Sequence, residues 1–162
     1  MDLRAILEQF ESGQIDMDTA LGLLGRSSED NLGFARVDLE RVRRRGTPEV
    51  IFGPGKSADQ IAQILASLWR DGQSCLATRV DAETAAAILK QNPAMPLVYD
   101  ELGRCLYTDI KAEDRGIGTI LVISAGTSDL PVAREALITA RLDGNRVQSL
   151  SDVGVAGLHR LL

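Results

Sequence analysis

Residues 120–131 read I-L-V-I-S-A-G-T-S-D-L-P, and this stretch constrains the fold more than any other. An apolar run stops at Ser124. A glycine, two hydroxyls and an aspartate follow, and then a helical pattern begins. The pattern predicts a strand over 118–124 and a helix over 129–143. Ala133, Ala136, Leu137 and Ala140 share one face of that helix, and Gly144 stops it. Residues 146–150 alternate like a strand, and 153–162 open a further helix. A buried parallel strand, a glycine-rich turn and a helix form the ligand crevice of open α/β sheets.

The turn has the chemistry of an anion site. A helix start leaves backbone N–H groups unpaired, and its dipole favours negative charge. Gly126 lets a ligand approach the backbone. Ser124, Thr127 and Ser128 carry hydroxyls that can face phosphate oxygens. Ionised Asp129 cannot donate to phosphate, so it either caps the helix or binds sugar hydroxyls. The alternative reading makes Ser128 or Asp129 a plain N-cap and Gly126 a plain turn residue. No lysine follows, so this is not a Walker loop.

Upstream, the apolar spacing predicts a helix pair over 2–11 and 17–24, broken at Gly13. The polar stretch 25–33 reads as a linker. Short strands are expected at 50–52, 74–78, 96–99 and 105–108, the last two reversed at Gly103. Helices are expected from Ser57 or Asp59 to Asp71 and from Asp81 to Lys90. This is a β-α-β-α-β series of short elements. Residues 111–117 form another polar boundary. The division is therefore 1–33 (helices and linker), 34–115 (an N-terminal α/β domain) and 116–162 (a second α/β domain).

Composition excludes several functions. The chain has 162 residues, is 44% hydrophobic and 25% charged, and carries a net charge of −5. That balance argues against a nucleic-acid binder, and 4% aromatics leaves little for base-stacking platforms on single strands. Two cysteines, Cys75 and Cys105, form no CxxC pair, and with one histidine, His159, a structural zinc site is not expected. No leader and no membrane-length apolar run is visible, so a cytoplasmic protein is expected.

S-A-G-T-S-D followed by L-P-V-A-R-E-A resembles the phosphate loop of PurE-type aminoimidazole ribonucleotide carboxylases, whose motif is G-S-x-S-D. D-L-E-R-V-R-R-R-G-T-P-E-V-I-F-G-P-G-K-S at 38–57 and S-D-V-G-V-A-G-L-H-R-L-L at 151–162 resemble the LarB family of nickel pincer cofactor biosynthesis. The resemblance runs from about Phe34 onward. It implies a small βαβ-type domain followed by the first part of a PurE-like, flavodoxin-like, three-layer parallel sheet domain.

The resemblance also implies a chemistry. LarB proteins carboxylate C5 of the pyridinium ring of nicotinic acid adenine dinucleotide and hydrolyse its phosphoanhydride, releasing AMP. The product is a pyridinium-3,5-biscarboxylic acid mononucleotide. CO2 or bicarbonate is the co-substrate, no cofactor or metal is expected in the polypeptide, and the full-length protein is expected to form a homo-oligomer. Ser124, Gly126, Thr127, Ser128 and Asp129 are the implied phosphate-binding set. Arg44, Lys56, Asp152 and Gly154 are further candidates for substrate contact. The arginine run 41–45 is otherwise a solvated helix face, with Asp38 and Glu49 as structural partners.

The family's attacking cysteine lies downstream of G-L-H-R-L-L, beyond Leu162, so the chain is expected to be an inactive fragment that is unstable or aggregates alone. Cys75 and Cys105 read as small apolar packing residues. Asp152 and His159 are the remaining catalytic candidates. His159 reads more readily as a structural or helix-capping residue, because the S-A-H-R loop of PurE enzymes is S-L-S-D here. Two other functions stay open: a non-catalytic nucleotide-phosphate-binding fragment and a purine-pathway carboxylase.

Overall fold

A computed structural model describes residues 3–24, 29–108 and 116–160. Two helices come first, α1 (Leu3–Glu11) and α2 (Met17–Leu24). They meet around buried Ile6 and Ala20, and they leave Leu7, Phe10, Met17 and Leu21 exposed. The polar stretch read as a linker contains a strand instead. Glu29–Asn31 (β1), a strand without apolar alternation, pairs antiparallel with Arg36–Asp38 (β2). Only Val37 of this hairpin is buried, at 1% exposure.

The arginine run forms a one-turn helix, α3 (Arg41–Arg45), ended by Gly46 at φ 78°. Three arginines in its last turn face the negative end of the helix dipole. The chain then enters a four-stranded sheet of β3 (Val50–Phe52), β4 (Leu76–Thr78), β5 (Leu97–Asp100) and β6 (Cys105–Thr108), in spatial order β3-β4-β6-β5. β3 and β4 are parallel, while β6 runs antiparallel to both of its neighbours.

Two helices cover one face of this sheet. α4 (Ala58–Arg70) starts at a reciprocal capping box between Ser57 and Gln60. It buries Ile61, Leu65 and Leu68 against Ile51, Ala77 and Leu106. α5 (Ala82–Gln91) is capped by Asp81 and adds Ala85 and Ile88. Each large side chain buried in this way stabilises the fold by roughly 1.5–3 kcal/mol.

The middle of the opposite face of the sheet is covered by the second α/β unit. β7 (Thr119–Ile123) and β8 (Arg146–Leu150) are parallel and joined by α6 (Leu130–Leu142). Leu137 and Ile138 of α6 pack with Leu76 and Cys105 of the four-stranded sheet and with Val147 of β8. The helix therefore lies between two sheets. This corrects the expected single apolar face: Ile138 is buried and Ala136 is exposed. On the far side of β7, Leu121 and Ile123 are 49% and 54% exposed.

The final helix also differs from expectation. Residues 155–160 form 3-10 turns interrupted at Gly157, whose φ of −124° is not helical. Leu161 and Leu162, and most of the polar boundary at 111–117, lie outside the described residues. The fold is α/β with a mixed parallel and antiparallel sheet plus a parallel pair.

Candidate functional site

The loops after β7 and β8 meet at one sheet edge. The Ser124 N–H donates to the Leu150 carbonyl at 3.0 Å, and the Val153 N–H donates to the Ser124 carbonyl at 3.4 Å. Between them, Asp152 adopts a left-handed φ of 64°. Gly154 then passes so close that a Cβ there would stand 3.1 Å from Ala125 Cβ. Asp152 and Gly154 are thus brought beside the S-A-G-T-S-D loop.

Within the loop, residues 127–129 make one 3-10 turn before α6 begins. The Asp129 carboxylate accepts the N–H groups of Ala125 at 3.2 Å and Gly126 at 3.0 Å. It closes the loop on itself and does not cap α6 by a side-chain bond. Thr127 and Ser128 stand exposed. Ser124 is 6% exposed, and its hydroxyl has no hydrogen-bond partner among the described residues. An orphaned buried hydroxyl is costly, and a ligand oxygen would satisfy it.

A second set of groups gathers at the carboxyl ends of β3 and β4. Gly53 has no room for a side chain, because a Cβ would lie 2.7 Å from the Thr78 carbonyl oxygen. The Lys56 N–H donates back to the Gly53 carbonyl at 3.0 Å. Pro54 and Gly55, the latter at φ 81°, occupy the middle of that turn as a type II geometry demands. Lys56 Nζ donates to the Phe52 carbonyl at 2.7 Å. Arg79 follows β4 with a left-handed φ of 56°, and its Cζ lies 5.3 Å over the Phe52 ring centre.

Helix α6 joins the two sets. Its Glu135 takes Arg79 Nε at 3.4 Å, and its Arg134 binds Asp100 at the end of β5. Neither Phe52 nor Arg79 stood out in the sequence. An arginine placed between a fully buried strand and a helix cap was the available signal.

The other candidates fall elsewhere. Arg44 pairs with Asp38, and Glu49 accepts the Asp38 N–H at 2.8 Å. This knot sits where the chain enters β3, at the opposite end from Lys56. His159 is exposed on the terminal 3-10 turn. Cys75 and Cys105 are wholly buried on opposite faces of the sheet, and burial pushes each thiol up to about 12. Neither thiol is open to a ligand in this structure. Among the described residues, no group of three or more His, Cys, Asp or Glu could hold a metal ion, and no helix is long and apolar enough to cross a membrane.

Comparison with known proteins identifies the architecture. The model of a family described as the LarB/PurE-like N-terminal domain matches residues 29–111, from the β1–β2 hairpin through the four-stranded sheet. The chain belongs to the LarB/PurE-like family. An uncharacterized protein of Methanocaldococcus jannaschii is 31% identical over 165 residues, covering 99% of this chain and 64% of its own length. The chain therefore spans less than two thirds of that relative's length.

Proposed function

We propose that this chain supplies the nucleotide-binding part of a LarB-type carboxylase/hydrolase acting on nicotinic acid adenine dinucleotide. The observation that carries this reading is the loop 124–129 in a chain of the LarB/PurE-like family. It combines two exposed hydroxyls, a glycine with open space beside it and an unpartnered buried hydroxyl at a sheet edge. Thr127, Ser128 and Ser124 would face phosphate oxygens. Asp129 already holds two loop N–H groups, so its role is to keep the loop formed. Asp152, left-handed and adjacent, would take a polar group of the same ligand.

The reaction itself needs a carbon nucleophile. A pyridinium ring is electron-poor and does not attack CO2. A thiolate adding to C4 makes C5 enamine-like. C5 then bonds to CO2 and releases its proton to water, and the ring nitrogen's electron pair expels the thiolate from C4, so the ring regains aromaticity. Water cleaves the phosphoanhydride to release AMP. Cys75 and Cys105 cannot supply that thiolate. In this chain the loop residues would bind and orient the dinucleotide.

Calorimetry on the chain with nicotinic acid adenine dinucleotide tests the binding role. The parent is expected to bind, and Thr127→Ala with Ser128→Ala to weaken binding by about tenfold or more, the loss of at least one charge-assisted hydrogen bond. Mass spectrometry of a mixture with labelled bicarbonate is expected to show no carboxylation by the chain alone. Absence of dinucleotide binding would sink the reading.

A further inference from the structure

We infer that Arg79, laid over Phe52, is a stacking platform for the adenine base of the dinucleotide; the assignment rests on the function proposed above. Three relationships carry it.

The first is the use made of the guanidinium. Phe52 is 51% exposed, a large aromatic left on the open part of the sheet face beside α6. Arg79 covers its ring at 5.3 Å. Glu135 meets the guanidinium at Nε, which is on its edge. The guanidinium carbon thus lies over Phe52, a carboxylate holds the group at Nε, and the side chain remains 53% exposed. A guanidinium plane fixed in this way can stack a base on its outer face.

The second is backbone strain. Arg79 is held at φ 56°, a conformation that favours glycine. The surroundings enforce it: the Gly53 N–H donates to the Thr78 carbonyl, and the Val80 N–H donates to the Arg104 carbonyl, both at 2.9 Å. The strain aims the side chain over Phe52 and away from the strand's own line.

The third is position. Glu135 follows Asp129 by six residues, about 9 Å along the helix axis at roughly 1.5 Å per residue. Val132 and Glu135 recur at helical spacing on one side of α6, Ser128 stands in the 3-10 turn just before the helix, and Val132 is 65% exposed. An open track thus leads from the loop hydroxyls to the arginine. A nucleoside whose phosphate rests on the loop would lay its base along that track. Lys56, bonded beside Phe52, adds positive charge at the same strand end.

The test is equilibrium binding of three probes to the full chain: nicotinic acid adenine dinucleotide, AMP and nicotinic acid mononucleotide. The variants are Phe52→Leu, which keeps bulk without a π face, and Arg79→Lys, which keeps charge without a plane. Each is expected to weaken the dinucleotide and AMP about tenfold, the usual effect of losing one base-stacking partner, and to leave the mononucleotide within about twofold. Equal weakening of all three probes, or no weakening, would overturn the platform and leave the loop assignment standing. If the parent binds none of the three, the loop assignment falls and the platform with it. Unchanged thermal midpoints and circular dichroism would show that the variants are folded.

Discussion

Arg134 grips Asp100 through two nitrogens, Nε at 2.8 Å and Nη2 at 2.7 Å, and the carboxylate side chain is only 12% exposed. The second Asp100 oxygen accepts the Gly103 N–H at 2.8 Å. This pair fastens α6 to the four-stranded sheet. Burial alone would raise the Asp100 carboxyl. The hydrogen bonds from Arg134 and Gly103 outweigh it and hold the group below its ordinary 3.8.

Asp100→Asn is expected to destabilise the chain by about 2 kcal/mol at pH 7, less than a fully buried pair because Arg134 is partly exposed. A folded-state value below the unfolded one stabilises above the unfolded value and is lost as pH falls through the folded one. The gap between parent and variant should therefore shrink as pH drops below about 3.8. Urea titrations at pH 7 and pH 3 measure it. A gap unchanged between the two would remove the ion pair as its source.

The two thiols are expected to be silent toward Ellman's reagent at pH 8, since each is buried and raised to about 12. Both should react once guanidinium unfolds the chain. A fast-reacting thiol in the folded protein would contradict the packing of Cys75 behind α4 or of Cys105 beneath α6.

Ser57→Ala removes one half of the capping box on α4 and is expected to cost about 1 kcal/mol. In a chain of this size that lowers the thermal midpoint by about 2–4 °C. Calorimetry reads it directly. Lys90→Ala, on an exposed part of α5, is the contrasting case and should shift the midpoint far less.

Leu121 and Ile123 project from the uncovered side of β7. Self-association of the chain at high concentration is expected, and Leu121→Lys with Ile123→Lys should abolish it. Sedimentation velocity across a concentration series is the measurement. Association that persists in the double variant would assign it to another surface, such as Leu7 and Phe10 of α1.

Much of the fold was legible because its strands are short and sharply bounded. β3, β6 and β8 fall where alternation and turn residues put them, and Ser57 and Asp81 cap the helices that follow. β1 was missed because Glu29, Asp30 and Asn31 carry no apolar pattern; their strand is set by pairing with β2. The terminal helix was overcalled because apolar spacing does not register the backbone freedom of Gly157. At the site, the loop 124–129 and its neighbours Asp152 and Gly154 could be read locally. Arg79 could not, because its partners Phe52 and Glu135 lie far from it in sequence and meet only through tertiary packing.

Because α6 is wedged between two sheets, it works as a ruler. From its first turn at Leu130 to Glu135, the partner of Arg79, the distance is counted in helical residues. One residue inserted before Glu135 would lengthen the span by only about 1.5 Å but swing the loop by roughly 100° about the axis. Phase along α6, more than reach, decides whether the two ends can hold one molecule.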